Sequence, residues 1–467
     1  MEIKLSFLGA AQNVTGSRYM VEVNGSRVLV ECGLYQERQL VDRNWDPFPV
    51  PAKSIDAVLL THAHLDHCGL LPKLVREGFR GPIHCTPATA EIARIILLDA
   101  AHLQEEDVAY KIKRHRKEGR KPKREVRPLY TTADAERTNL HFQTHPYAKT
   151  VPIARGISAT FCNAGHVFGA STIMLHAETN GQTRNVLFSG DVGREDMPIV
   201  ADPAVPRAAD YVLIESTYGD RKHATRGDVA DELAKVINDT VATGNVVIPS
   251  FALERSQDLL YHLNELTLTK KIPQVAVYLD SPMAIGITQV FAKHPELYDE
   301  EMTRRVNQAR SPFELPGLQM TLTTNESKGI NRIKHGAIII AGSGMCTGGR
   351  VKHHLLNNIM RPECTVLFAG YQAVGTLGRQ IAEGAPEVRI LGRMCPVKAN
   401  IARIGGFSAH ADRDELTDWI RGLPRAPQEV FVVHGEPGAA NHFRQHLADA
   451  TGWKVTVPSY ADTVTLT

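Results

Sequence analysis

The chain has 467 residues, 43% of them hydrophobic, with a formal net charge of +2. That length exceeds one ordinary compact domain and that apolar share can fill a large core, while a balance so near neutral gives no compositional sign of a nucleic-acid partner. Seven cysteines, odd in number and without a CxxC pair, exclude a disulfide framework and a cysteine-based zinc knuckle.

The first residues, Met1-Glu2-Ile3-Lys4-Leu5, read as a strand with no basic-apolar-small leader pattern. No apolar run approaches the ~20 residues that span a bilayer. A soluble, cytoplasmic protein without a membrane partner is expected. Residues 3–9 form the first predicted strand, and 18–23 and 27–31 alternate around Asn24-Gly25, a hairpin-turn signal. The second arm ends in Glu31-Cys32-Gly33. Residues 55–61 are an apolar strand, followed at once by His62-Ala63-His64-Leu65-Asp66-His67. Three imidazoles and a carboxylate thus sit where a buried strand gives way to a loop, and these are ligand types suited to a divalent ion such as zinc. Residues 69–77 and 87–103 read as helices, so the opening third is a layered α/β arrangement.

Residues 111–127 hold ten Lys or Arg (Lys111, Lys113, Arg114, Arg116, Lys117, Arg120, Lys121, Lys123, Arg124, Arg127) against Glu118 and Glu125. On composition such a block is a solvated face or loop, and a phosphodiester substrate would make it a backbone contact. Further on, the loop Asn163-Ala164-Gly165-His166-Val167-Phe168-Gly169 and the strand end Gly190-Asp191-Val192-Gly193 repeat the theme of a polar ligand type among glycines. Strand 211–215 ends in Glu215.

From 227 the pattern changes to helix (227–242), strand (245–249), helix (254–266) and strand (274–279), the alternation of a parallel sheet with crossover helices. Strand 338–340 leads into Ala341-Gly342-Ser343-Gly344-Met345-Cys346-Thr347-Gly348-Gly349-Arg350 and a helix at 351–360, a candidate anion site or a plain tight turn. Strand 365–369 precedes Gly375-Thr376-Leu377-Gly378-Arg379. The last part returns to the earlier manner: Phe407-Ser408-Ala409-His410 precedes a helix at 413–422, and strand 429–433 ends in His434. The strand-end sites therefore flank some two hundred residues of inserted α/β pattern. The residues His62, His64, Asp66, His67, His166, Asp191 and His434 are enough for two metal ions sharing a carboxylate, an arrangement suited to in-line displacement at phosphorus by a metal-bridged hydroxide. His410 is a spare imidazole for the leaving oxygen and Glu215 a carboxylate to orient it.

These motifs resemble the metallo-β-lactamase superfamily: His62-x-His64-x-Asp66-His67, His166 and Asp191 look like its signature, while Glu215, His410 and His434 resemble motifs A, B and C of its β-CASP branch. Ser281-Pro282-Met283-Ala284, Ser343-Gly344-Met345 and Gly348-Gly349-Arg350 belong to the same likeness, that of a bacterial-type relative of the cleavage and polyadenylation endonuclease subunit. The resemblance implies an αββα sandwich, split in sequence (1–209 and 397–467), with a β-CASP α/β domain inserted at 210–396 and covering the cleft. It implies two zinc ions, one on His62, His64 and His166, the other on Asp66, His67 and His434, with Asp191 as bridge, Asp66 also in the catalytic set, His410 as proton donor and Glu215 as its partner. It implies a ribonuclease acting on single-stranded RNA, endonucleolytic or 5′-exonucleolytic. A homodimer is a candidate assembly, and Ser343, Gly344, Arg350, Arg379 and Ser408 are candidate substrate contacts. A histidine at motif C favours RNA over DNA. The alternatives are a non-catalytic RNA-binding member, a DNA-acting nuclease, or hydrolysis of a small thioester or lactam, which needs neither the insert nor the His410/Glu215 pair. One departure stands out: the carboxylate before Cys-Gly, usually an aspartate that orients a ligand from behind, is here Glu31.

Overall fold

Alternation along the early strands sets up a two-sheet core. Leu5 and Phe7, Val28 and Val30, Ala57 and Leu59 lie at every second position of three strands, and all turn into one apolar cluster, as a period of two requires. In the computed structural model, which describes residues 3–119, 125–179, 181–223, 229–308, 311–373 and 375–467, these strands belong to a seven-stranded sheet. Its order is Thr463–Leu466, Ile3–Gly9, Arg18–Val23, Ser26–Val30, Ala57–Leu59, Ile83–Cys85 and Phe142–Thr144. A second seven-stranded sheet runs Val455–Thr456, Glu429–Val433, Tyr211–Glu215, Gln182–Phe188, Ser171–Thr179, Ile157–Asn163 and Thr150–Ala154. Phe161, Ile173, Phe188, Leu213 and Phe431 of the second sheet pack into the same cluster as the first. The intervening positions Val212, Ile214, Val430 and Val432 face the other way and pack with Leu416 and Ile420 of helix Arg413–Arg421 and Phe443 and Leu447 of helix Pro437–Thr451. This is the expected sandwich with helices outside.

The chain divides into two compact units, Met1–Asp196 with Asp202–Lys222 and His410–Thr467, and Met197–Ala201 with His223–Ala409. These bounds differ from the expected 210–396 at both ends, and hydrogen bonding explains why. Tyr211–Glu215 pairs in parallel with Gln182–Phe188 on one side and Glu429–Val433 on the other, so it is a central strand of the sandwich. Asn400–Arg403 pairs with Thr365–Phe368 and forms an edge of the insert's own sheet.

That sheet has the order Leu318–Met320, Ala276–Asp280, Ala337–Ala341, Val246–Pro249, Thr365–Phe368, Asn400–Arg403, with every pair parallel. Its central strand Ala337–Ala341 is buried at all five residues, as a parallel strand covered on both faces must be. The helix expected at 87–103 runs instead from Pro87 to Glu118, so Lys111, Lys113, Arg114, Arg116 and Lys117 lie on its last turns. Arg120, Lys121, Lys123 and Arg124 of the same basic stretch are outside the described residues. Among the described residues no helix is long and apolar enough to cross a membrane.

Candidate active site

Short backbone links hold the histidine loop in place. Strand Ala57–Leu59 delivers the chain to His62, and His64 caps a one-turn helix, Leu65–Cys68, whose Asp66 and His67 therefore point from a single turn. Residues 32–34 brace that turn: Cys32 N donates to His67 O (2.7 Å) and Leu34 N to Leu65 O (2.9 Å). Gly33 is required between them, because a Cβ there would stand 1.7 Å from Asp66 O. His166 comes from the loop between strands Ile157–Asn163 and Ser171–Thr179. Asp191 follows strand Gln182–Phe188, and Gly193 beside it has room only for hydrogen, since a Cβ would meet Gly165 O at 1.8 Å. His434 follows strand Glu429–Val433.

All seven side chains converge. The ligand atoms of His62, His64, His166 and Asp191 lie within 4.8 Å of one another, as do those of Asp66, His67 and His434, and those of Asp191, Glu215 and His434. Asp191 stands between the first two groups. Its Oδ2 is 3.4 Å from His62 Nε2 and 3.4 Å from His166 Nε2, whereas its Oδ1 is 3.4 Å from His67 Nε2 and 3.7 Å from His434 Nε2. Asp66 Oδ2 is 3.5 Å from His434 Nε2, and His67 Nε2 is 3.1 Å from His434 Nε2. His62 Nε2 is 3.0 Å from His64 Nδ1.

These donors fit zinc. With bonds of about 2.0–2.1 Å to nitrogen, tetrahedral ligand atoms sit roughly 3.3 Å apart, close to the separations in both groups. Asp191 Oδ1 is buried and accepts no hydrogen bond, as expected of an oxygen shaped for an ion. Behind the donors stand hydroxyls. Thr61 Oγ1 is 3.0 Å from His62 Nδ1 and Thr217 Oγ1 is 3.1 Å from His434 Nδ1. With each Nδ1–H donated to its threonine, Nε2 keeps its lone pair for the site. Sequence reading passed over both threonines; their positions, directly before His62 and two after Glu215, are the available signal.

Electrostatics match the same picture. Burial, reinforced by His67, pushes His62 well below its ordinary value, and burial pushes His64 down to about 4. Both imidazoles are therefore neutral near pH 7, the form that binds a metal. Burial would raise Asp191, but the charges of His434, His67 and His62 outweigh it and hold the carboxyl well below the usual range. For Asp66, burial is likewise outweighed, chiefly by His434 and His67. His67 and His434 move up against burial, driven first by Asp191. The buried carboxylates Asp191 and Asp66 thus favour positive charge at these two rings, a role that a divalent cation would take over.

Family models agree with the geometry. The Metallo-beta-lactamase superfamily matches residues 14–148, the Beta-Casp domain 256–381, and the Zn-dependent metallo-hydrolase RNA specificity domain 394–458. Ribonuclease TTHA0252 of Thermus thermophilus is 38% identical over 429 residues, 92% of each chain. The chain belongs to the β-CASP branch of the metallo-β-lactamase superfamily. Transcription termination factor FttA of Methanocaldococcus jannaschii is 32% identical over 477 residues, 99% of this chain and 71% of the other. A crystal structure of a protein of unknown function from Enterococcus faecalis V583 shares the fold, with a TM-score of 0.54 at 11% identity over 100% of both chains.

In this β-CASP chain Glu31 is buried and adopts a left-handed backbone (φ 66°). Its longer side chain reaches two targets: Oε1 accepts from Thr61 N (2.9 Å) and Oε2 lies 3.4 Å from His67 Nδ1. His434 is also left-handed (φ 51°), its N–H donating to Ala10 O (2.8 Å). A non-glycine residue held so costs about 1–3 kcal/mol, strain typical of functional sites. Glu31→Ala is expected to weaken zinc binding by about 10–100-fold, measured by competition with a chromogenic chelator. Unchanged affinity would show that Glu31 does not hold His67.

His410 joins the same site. Its Nδ1 is 3.2 Å from Glu215 Oε2 and 3.3 Å from Oε1, and Glu215, fully buried, also accepts from Val192 N (2.7 Å). A backbone bridge to Gly193 keeps His410 beside Asp191, and its ring lies 4.4 Å from that of His166.

The expected substrate contacts are all in the second unit. Ser343 and Gly344 lie just past strand Ala337–Ala341, at the carboxyl end of the parallel sheet, where ligands of such sheets bind. Ser343 Oγ accepts from Thr347 N (3.1 Å) and Gly348 N (3.3 Å). Gln372, which sequence reading did not single out, links this loop to Arg379: its Nε2 donates to Gly344 O (3.0 Å) and its carbonyl accepts from Arg379 Nη1 (3.4 Å). Arg350 is committed elsewhere, to Asp280 Oδ1 (2.6 Å), Thr321 O (2.9 Å) and Leu322 O (2.8 Å). Ser408 is half-buried, two residues before His410.

Proposed function

We propose that this chain is a zinc-dependent ribonuclease that hydrolyses phosphodiester bonds of single-stranded RNA with two zinc ions. His62, His64 and His166 would hold one ion and Asp66, His67 and His434 the other, with Asp191 available to both. The observation that carries the two-ion reading is the division of labour within Asp191, whose Oδ2 faces His62 and His166 while Oδ1 faces His67 and His434. Zinc, when bound, supplies Lewis acidity at phosphoryl oxygens and lowers the pKa of water towards ~7. The chain's own residues do the rest. Asp66 and Asp191 concentrate negative charge at the ions, Glu215 fixes the tautomer and tilt of His410, and the His410 imidazolium gives its Nε2 proton to the departing oxygen. RNA as substrate is supported by the name of the Thermus relative and by the RNA specificity domain match over 394–458. All seven cysteines are free thiols, which suits a cytoplasmic setting. A homodimer is the assembly to test by light scattering.

One RNA labelled at each end, carrying either a 5′-monophosphate or a 5′-hydroxyl, decides the mode. Internal fragments mean endonuclease action, and released mononucleotides mean 5′-exonuclease action. Cleavage is expected to require zinc and to stop with a chelator. A His64→Ala/Asp66→Ala double variant that still cleaved at the wild-type rate would overturn the mechanism.

A further inference from the structure

We infer that the projecting end of helix Pro87–Glu118 is a second contact for single-stranded RNA, a stacking and phosphate platform remote from the metal ligands. The inference rests on the ribonuclease reading. The helix starts against the site: Thr86 Oγ1 and Thr89 Oγ1 both donate to Gly169 O (2.7 and 2.8 Å), at the end of the loop that carries His166. Its first turns are core, with Ile92, Ile96, Leu97 and Ala101 buried. Beyond Ala101 it turns outward. Only Gln104, Glu105, Val108 and His115 stay half-buried, all on one side, and every other residue to Glu118 is exposed. At 1.5 Å per residue, Tyr110 to Lys117 lie about 30–40 Å along the axis from Thr89.

The outward stripe has the composition of a single-strand binder. Tyr110, Lys113, Arg114 and Lys117 stand at i, i+3, i+4 and i+7, so they share one face. Tyr110 is 62% exposed, with no core to justify an aromatic there, and Leu103, two turns earlier on the same face, is 51% exposed. Among the acids of this stretch, Glu106 pairs with His102 and Asp107 with Lys111, while Glu118 reaches one of the stripe's own cations, Arg114, only loosely (3.7 Å). Lys113 and Lys117 have no acidic partner among the described residues. A base stacked on Tyr110 with flanking phosphates at the three cations uses each group as single-strand binders do, by π-stacking and counterion release. Because neither reads base edges, the contact is independent of sequence.

Fluorescence anisotropy with a long unstructured RNA, on the full chain carrying Asp66→Asn so that the RNA stays intact, tests the platform across a salt series. Lys113→Gln/Arg114→Gln/Lys117→Gln keeps good helix formers and is expected to reduce the salt slope by about 2, since each phosphate contact on a single strand contributes ~0.7. Tyr110→Ala is expected to bind about tenfold more weakly, with Tyr110→Phe restoring affinity. Lys53→Gln, an exposed lysine elsewhere in the same unit, controls for charge alone. Wild-type affinity and slope in all variants would overturn the platform and leave the stripe for a protein partner. Loss with the glutamines but not with Tyr110→Ala would overturn it as well, reducing the stripe to charge attraction. No cleavage is needed for this readout, so its failure is distinct from a failure of the wild-type chain to hydrolyse RNA.

Discussion

Replacement of His410 by alanine is expected to lower kcat on RNA by about 10²–10⁴-fold, the range that positioned general acids supply, with bound zinc retained. The charge on this histidine is set by its neighbour. Burial works against the imidazolium, but the Glu215 carboxylate 3.2 Å away, with Asp191 and Asp66 beyond it, outweighs burial and pushes His410 up to about 9. An acid with a raised pKa is fully protonated below the ordinary histidine value of ~6.5 and loses its proton only as pH rises through the higher one. The kcat profile should therefore stay high across neutrality and fall on the alkaline side. Glu215→Gln removes the main support and leaves only Asp191 and Asp66 to oppose burial, so the alkaline limb should move acidward, towards the ordinary histidine range. A purely structural role for Glu215 would lower the rate without moving the limb. A limb in the same place for wild type and Glu215→Gln would sink the assignment of His410 as the acid.

The parts of this site that could be read in the sequence share one property: they are local. Four ligand-type residues in six, from His62 to His67, announce themselves, and His166, Asp191 and His434 each end an apolar strand, where period-two burial stops and side chains are free to serve chemistry. The strands Tyr211–Glu215 and Glu429–Val433 were legible residue by residue because both are short, central and almost wholly apolar. Illegible were the edge strands Thr150–Ala154 and Leu318–Met320, whose mixed burial carries no clean period. The unit boundary was missed because strand pairing, a non-local fact, decides that Tyr211–Glu215 lies in the sandwich and Asn400–Arg403 in the insert. Helix length failed at 103 for a different reason. Past Ala101 the helix has no core to face, so its apolar periodicity ends while its good helix formers continue.

Arg350 shows the opposite error, a residue whose chemistry suggested a phosphate and whose surroundings supply a carboxylate. Asp280 ends strand Ala276–Asp280 with no exposed surface, and four side chains satisfy it. Its Oδ1 accepts from Arg350 Nη1 (2.6 Å) and Thr321 Oγ1 (2.5 Å), and its Oδ2 from His354 Nε2 (2.6 Å) and Ser327 Oγ (2.6 Å). Burial would raise this carboxyl, but the hydrogen bonds from His354, Ser327, Thr321 and Arg350 together hold it well below the usual range. Asp280→Asn keeps the shape, removes the charge, and turns an amide donor towards donors. Its expected cost is about 3–5 kcal/mol, the loss seen when one partner of a buried ion pair is removed, read by chemical denaturation. The sign with pH follows from the depressed pKa. The advantage of wild type over Asp280→Asn is complete above the unfolded carboxyl value of ~3.9 and shrinks as pH falls through the folded one. Arg350→Met should likewise lower stability more than it raises KM, because the guanidinium ties strand, loop and helix of the insert together. A variant within about 1 kcal/mol of wild type, the scale of an exposed pair, would mean that the network is solvated and that Arg350 is available to a phosphate after all.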